Sequence, residues 1–232
     1  MFGELLPVNE VFSTFQGEGH FTGTPATFYR LQGCPVGCPW CDTKYTWALD
    51  PDNERTVDEI LDKRVEDETY ALFRPHQLLG NSLSHHVVIT GGEPAQYDLR
   101  KVTRILLDYW VTAQVETSGT FPLLVDYRTW VTVSPKLNMP GGLKVLPEVL
   151  ARADEIKHVV GKPSDVDALL SLLADTNPQA LIYLQPLSCS AKATALCIRA
   201  AADHGWKVSI QRVGRDRSGA WQRALRRLTA ST

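Results

Sequence analysis

From residue 87 to residue 210 the chain repeats one order: a short apolar run, a polar or glycine-containing loop, then a stretch with helical spacing. The apolar runs are residues 87–90, 114–117, 130–133, 155–160, 181–184 and 207–210; helical patterns fill 98–110, 146–153, 165–174 and 191–203. Short β-branched runs bounded by turn residues read as strands. Leu99, Val102, Ile105 and Leu106 recur at the spacing of one helix face. Strand, loop, helix, repeated, predicts an α/β fold with a mostly parallel sheet, since parallel neighbours need crossover connections. Gly91-Gly92-Glu93-Pro94, Ser118-Gly119, Ser134-Pro135-Lys136 and Gln185-Pro186 all follow strands. A parallel sheet gathers such loops on one rim, where sites form.

Ahead of this rhythm, residues 8–15 and 26–31 mix β-branched and aromatic residues like two further strands, joined by the turn Gln16-Gly17-Glu18-Gly19-His20. The second runs directly into Cys34-Pro35-Val36-Gly37-Cys38-Pro39-Trp40-Cys41, which holds three of the five cysteines in a C-x3-C-x2-C spacing. Thiolates bind soft metals, and this loop can wrap three sulfurs around one centre. A zinc site or a four-thiolate iron–sulfur cluster wants four protein ligands. Either Cys189 or Cys197 supplies a distant fourth, or the centre is a [4Fe–4S] cluster with one iron open for a small molecule, which would make the chain an enzyme. A zinc knuckle calls for a second C-x2-C or C/H pair. His85 and His86 are adjacent, but they lead straight into an apolar strand.

The chain of 232 residues is long enough for one domain with a substantial core, and 44% apolar with 22% charged residues is ordinary for a globular protein. A net charge of -2 implies no general polyanion-binding role. Residues 1–10 lack the basic and apolar regions of a signal peptide, and no apolar run approaches membrane-spanning length. Clustered cysteines without an export signal suggest reduced thiols in the cytoplasm. Residues 50–68 carry nine acids against three bases. Thr56 with Glu59 three residues on reads as a helix-starting capping box. We expect one core over residues 1–211, with an acidic excursion at about 50–84 that is most simply a solvated helix and loop. A basic tail, 212–232, follows.

C-x3-C-x2-C is the cluster motif of the radical S-adenosylmethionine (SAM) superfamily. Phe15-Gln16-Gly17-Glu18-Gly19, Arg30-Leu31-Gln32-Gly33-Cys34, Cys41-Asp42-Thr43, Thr90-Gly91-Gly92-Glu93-Pro94, Glu116-Thr117-Ser118-Gly119 and Ser134-Pro135-Lys136 occur in that order. Together, across roughly residues 8–211, they resemble the 7-carboxy-7-deazaguanine synthase family of queuosine and 7-deazapurine biosynthesis. The resemblance implies a single-domain partial (βα) barrel with fewer helices than strands. It implies a lyase that contracts the ring of 6-carboxy-5,6,7,8-tetrahydropterin with loss of ammonia. Hydrogen is taken from C6 by a 5′-deoxyadenosyl radical, and SAM is regenerated. A homodimer and a reducing partner such as flavodoxin or ferredoxin are further family expectations.

Carried over residue by residue, the resemblance gives Cys34, Cys38 and Cys41 the [4Fe–4S] cluster and Thr43 a Mg2+ shared with the substrate carboxylate, with Asp42 nearby. Trp40, Cys41, Asp42, Gly91, Gly92, Glu93, Ser118, Ser134, Pro135, Lys136 and Gln185 would face SAM. Phe15, Gln16, Gly17, Glu18, Arg30 and Thr90 would face the pterin. Some of this has independent chemistry. Glu93 can accept from an ammonium, the paired glycines admit close backbone approach, and Lys136 offers a charge to a carboxylate. A pterin's amide-and-amine edge suits Gln16 and Glu18, and Arg30 can bind a carboxylate bidentately. Each has a plainer reading. Trp40 packs over the loop, and Gly91–Pro94 is a strand-to-helix turn. Asp42-Thr43 and Gln16–Glu18 are turns, and Arg30 makes a surface salt bridge.

Relatives close with a glutamine followed shortly by His-Lys-Tyr-Leu, whose histidine helps cover the substrate. Here Gln211 leads to Arg212-Val213-Gly214-Arg215, and residues 212–232 hold six arginines and one acid. A solvated helix or loose end is the plain reading of the tail, and a nucleic-acid contact the other. Two rival functions remain on sequence. One is a radical SAM activating enzyme that places a glycyl radical on a partner protein. The other is a non-catalytic iron–sulfur or zinc module.

Overall fold

The computed structural model describes residues 5–57, 59–60 and 86–210. Most of the expected acidic excursion, and Gln211 with the basic tail, lie outside the described residues. One nine-stranded sheet organises the chain in the order β3-β1-β2-β4-β5-β6-β7-β8-β9. Strand β1 (Leu5–Phe15) pairs antiparallel with β2 (Pro25–Leu31) and with the short β3 (Glu54–Thr56). From β2 the sheet is parallel through β4 (His86–Gly91), β5 (Thr112–Thr117), β6 (Trp130–Val133), β7 (Glu155–Val160), β8 (Leu181–Pro186) and β9 (Lys207–Val208). The strand order does not close, so the sheet is open, as a partial barrel requires.

Helices α1 (Arg100–Asp108), α2 (Pro147–Arg152), α3 (Pro163–Leu172) and α4 (Ala191–His204) follow β4, β6, β7 and β8. Among the described residues there are thus fewer α-helices than strands, as expected. No helix links β5 to β6. The loop there is tied to α1 instead: Leu99 N donates to Leu124 O at 2.9 Å, and Asp126 N to Thr103 Oγ1 at 2.9 Å. The expected capping box is present. Thr56 N donates to Glu59 Oε2 at 2.7 Å and Glu59 N to Thr56 Oγ1 at 3.2 Å. Strand β3 was not expected, because three residues, Glu54-Arg55-Thr56, give no periodic pattern; edge pairing with Leu5–Pro7 makes the strand.

Side-chain alternation gives the sheet two unlike faces. Tyr29, Leu31, Val87, Ile89, Ala113, Val115, Val131, Val133, Ile156 and Leu184 pack with the helices in two apolar clusters. Burying a Val or Leu side chain of this kind contributes roughly 1.5–3 kcal/mol. Most residues that alternate with them on the same strands are polar, with exceptions such as Val88 on β4: Arg30 on β2, Thr90 on β4, Gln114 and Glu116 on β5, Thr132 on β6, Lys157 on β7 and Gln185 on β8. A core does not need such residues. They face the concave side.

Candidate active site

The concave face encloses a cavity of about 1060 Å³. Every residue that the sequence assigns to the site lines it, except Pro135, which is buried beside it. The rim at the strand C-termini carries the cysteine loop, Gly91–Glu93, Ser118, Ser134 and Lys136; the turn 16–18 lies at the opposite end of the strands.

Cys34, Cys38 and Cys41 are free thiols, Cys38 the most buried, and all three border the cavity. The loop is held by Gly33 N to Thr46 O at 2.8 Å, Cys34 N to Trp47 O at 3.2 Å and Cys41 N to Cys38 O at 3.1 Å. Burial pushes the Cys34 and Cys38 thiols up. Thr43 Oγ1 stands 3.5 Å from Cys41 Sγ, and Trp40 is 42% exposed at the mouth. Among the described residues no three His, Cys, Asp or Glu side chains are placed for a single metal ion. Three soft sulfur donors on one loop border the same cavity, which suits a multi-iron cluster with an open position. Cys189 also borders the cavity, whereas Cys197 is wholly buried in the apolar cluster under α4.

Lys136 donates to Ser134 O at 3.1 Å and Ser134 Oγ at 2.5 Å. Burial pulls its ammonium below the ordinary value, and among the described residues no acid lies within ion-pair distance of it. A half-buried cation without an anion fits an anionic ligand. Glu93 is fixed from three sides. Thr117 Oγ1 donates to Oε1 at 2.5 Å, Ala95 N to Oε1 at 3.0 Å and Ser118 N to Oε2 at 2.7 Å, leaving Oε2 room for one more donor.

The glycine pair has a different partner from the one expected. Gly92 N donates to Leu31 O at 2.8 Å and Glu93 N to Gly33 O at 2.7 Å. A Cβ on Gly92 would come 2.2 Å from Gly33 O. The close approach is that of the backbone leading into Cys34, so the pair seats the cysteine loop and leaves these two amides no part in ligand binding.

At the other end, Gln16 is buried and its amide is committed to the protein. Nε2 donates to Gln114 Oε1 and Glu116 Oε1, both at 3.2 Å, and Oε1 accepts from Glu18 N at 3.1 Å. His86 Nε2 lies 2.7 Å from Gln114 Oε1, and Gln114 Nε2 donates to Thr132 Oγ1 at 3.0 Å. Thr90 Oγ1 donates to Glu116 Oε2 at 3.3 Å. Lys157 Nζ bridges Glu18 Oε2 at 2.5 Å and Glu116 Oε1 at 3.2 Å, and Gln185 Nε2 donates to Glu18 Oε1 at 2.8 Å. Gln185 thus meets Glu18 while bordering the cavity. Arg30 is paired: Nε donates to Glu10 Oε1 at 2.7 Å, which also accepts from Tyr45 OH at 2.7 Å. Its plain salt-bridge reading holds, with the rest of the guanidinium bordering the cavity.

Sequence reasoning missed Glu10, Tyr45, Glu116 and Lys157 as lining residues. The signal was there for two of them. Gln114/Glu116 and Glu155/Lys157 are polar pairs two apart in otherwise apolar strands, which puts each pair on one face.

An open, mostly parallel sheet curled over a cavity, with a C-x3-C-x2-C loop on its strand-end rim, defines an α/β enzyme of the radical SAM class. No protein-family model matches the chain. The 7-carboxy-7-deazaguanine synthase of Escherichia coli (strain K12) is 48% identical over 213 residues, 88% of this chain and 95% of that protein. That of Pyrobaculum aerophilum is 32% identical over 214 residues, 87% of this chain and 90% of that protein. The crystal structure of QueE from Escherichia coli superposes with a TM-score of 0.79 at 42% identity, covering 89% of this chain and 94% of that one. The chain belongs to the 7-carboxy-7-deazaguanine synthase family.

Proposed function

We propose that the chain is a radical SAM carbon–nitrogen lyase that converts 6-carboxy-5,6,7,8-tetrahydropterin to 7-carboxy-7-deazaguanine and ammonia. The observation that carries this reading is one cavity with unlike ends: soft thiols and a half-buried cation at the rim, carboxylates and amides at the floor. Cys34, Cys38 and Cys41 would hold a [4Fe–4S] cluster. When bound there, the cluster and SAM supply a 5′-deoxyadenosyl radical. Lys136 offers its ammonium to the SAM carboxylate, and Glu93 Oε2 accepts from the SAM amino group. At the floor, Glu18 and Glu116 present acceptors for the pterin's N–H edge. Gln16, Gln185 and Thr90 fix the orientation of those carboxylates and do not bind the ring themselves. Lys157 pairs with both acids and holds the Glu116 carboxyl below its ordinary value. Arg30, steadied by Glu10, has guanidinium donors left for the substrate carboxylate.

Thr43 offers a hard oxygen beside the thiol loop, which we assign to Mg2+ shared with the substrate. Replacing Thr43 by Ala is then expected to slow product formation more than uncoupled SAM cleavage and to flatten its Mg2+ titration. An unchanged titration would remove Thr43 from the metal. A homodimer, a flavodoxin or ferredoxin reductant and a cytoplasmic setting complete the proposal on family grounds. No helix among the described residues is long and apolar enough to cross a membrane.

The test is anaerobic reconstitution with iron and sulfide, then incubation with reductant, SAM and the carboxypterin. Formation of the deazaguanine and ammonia supports the reading. SAM cleavage without pterin conversion would favour an activating enzyme, and no SAM cleavage a binding module.

A further inference from the structure

Residues 16–24 join β1 to β2 at the end of the sheet opposite the cysteine loop. The segment is a turn in its own right, with Gln16 N donating to Thr24 O at 2.8 Å and Gly23 N to Gln16 O at 2.8 Å. It also reaches across the sheet. Phe21 packs on His86 of β4 at 4.3 Å, and His20 stacks on Trp130 of β6 at 4.8 Å. Two successive amides are then caught by side chains from the far strands. Gly19 N donates to Ser209 Oγ, just past β9, at 2.9 Å, and His20 N to Glu155 Oε2, at the start of β7, at 2.8 Å.

The fit at this catch is close. Glu155 is fully buried, and a Cβ on Gly19 would come 2.1 Å from its Oε1. Gly19 also has φ +67°, which a side chain would disfavour. Among the described residues Oε1 has no hydrogen-bond partner, and the one hydrogen bond they give this carboxyl is to the turn. Burying a carboxyl is costly, and burial pushes this one up to about 7. A core position would be better filled by an apolar residue. What the carboxyl does here is fix the segment that carries Gln16 and Glu18 into the cavity.

We propose that Glu155 is a positioning residue of the reaction: through the His20 amide it holds the β1–β2 turn across the floor of the half-barrel and so sets Glu18 against the pterin. Ser209 is the second catch. The substrate part rests on the function proposed above.

The test compares wild type, Glu155→Ala and Glu155→Gln, each reconstituted. Glu155→Ala is expected to raise the pterin KM about tenfold, the size of one lost buried hydrogen bond. Its kcat, SAM affinity, uncoupled SAM cleavage and cluster absorbance should stay close to wild type. Glu155→Gln keeps an oxygen for the His20 amide and should bring the KM most of the way back. An unaltered pterin KM in Glu155→Ala overturns the proposal, as does an equal loss of SAM binding, which would mark a general packing role. Should Glu155→Ala fail to fold, Ser209→Ala decides: a raised pterin KM at unchanged SAM affinity supports the catch, and no rise overturns it. Pterin binding to the cluster-free protein, followed by tryptophan emission, separates the two readings. A wild-type protein that neither binds nor converts the pterin sinks the proposed substrate. The catch is then read from the emission of Trp130 on His20, which Glu155→Ala shifts and Glu155→Gln does not. An emission unchanged in both sinks the catch too.

Discussion

Replacing Lys157 by methionine is expected to destabilise the protein by about 3–5 kcal/mol near neutral pH, with much of that loss recovered in acid. Lys157 is 6% exposed at its side chain, and its ammonium lies between Glu18 and Glu116. Burial alone would push it down, but the two carboxylates outweigh burial and hold it above its ordinary value. Burial likewise pushes the Glu116 carboxyl up; Lys157, with Gln16 and Thr90, pulls it below its ordinary value. The signs follow from linkage. Glu116's contribution is present above its unfolded value of 4.5 and is lost as pH falls through the depressed folded value. Lys157's is present below 10.5 and is lost only as pH rises through its raised folded value. Between those limits Glu116 and Lys157 are both charged.

Methionine has nearly the same length and no charge, so it leaves two buried carboxylates facing each other. Such a pair relieves itself by taking up a proton, which raises one acid well above its usual range. The stability difference between wild type and Lys157→Met should therefore shrink as pH is lowered toward about 5, read from urea midpoints at each pH. Adding Glu116→Gln to Lys157→Met removes one of the stranded charges and should recover part of the loss at neutral pH. An equal loss at both pH values, unrelieved by Glu116→Gln, would mean that the lysine acts by packing alone. Activity is expected to disappear in the single variant, because Lys157 would no longer hold Glu18 and Glu116 in place for the proposed pterin.

That cluster also marks the limit of what the sequence disclosed. The rim was legible because each of its loops is punctuated: Gly91-Gly92, Ser118-Gly119 and Ser134-Pro135-Lys136 interrupt apolar runs, and the parallel sheet puts them together. The floor is built differently. Its groups sit inside strands, at alternate positions, and become a site only when the sheet curves so that Gln114, Glu116, Thr132 and Lys157 face inward together. Curvature and register are set by long-range pairing that no short stretch encodes. Gln16 shows the same limit from the other side. Its residue type suited a pterin edge, but whether its amide is free depends on Gln114 and Glu116, about a hundred residues away. Helix ends were read a few residues too long or too short for a local reason. The 98–110 pattern ends as α1 at Asp108, where Trp110 turns to φ 62° and Val111 N bonds back to Leu106 O at 3.0 Å.

Single replacements of Cys34, Cys38 and Cys41 by alanine are each expected to abolish SAM cleavage, while Cys189→Ala and Cys197→Ala leave it nearly intact. The first three thiols share one loop and one cavity wall, and among ligands of a cluster with an open iron none is spare. The other two separate by position. Cys197 is wholly buried among Val131, Val133 and Leu184 on the helix side of the sheet, out of reach of the cavity. Its replacement trims a small apolar side chain and should cost about 1 kcal/mol of stability without touching the iron. Cys189 is the informative case. It is exposed, it borders the cavity, and it sits with Ser188 in a left-handed turn after β8, so it is the one thiol that could swing toward the loop as a fourth ligand. Iron content, visible absorbance and SAM cleavage of the reconstituted variants distinguish the cases. Full iron and full cleavage in Cys189→Ala leave the fourth iron to SAM. Loss of iron in that variant, comparable to Cys38→Ala, would make the centre a four-thiolate one, close the open position, and with it remove the basis for SAM chemistry at this loop.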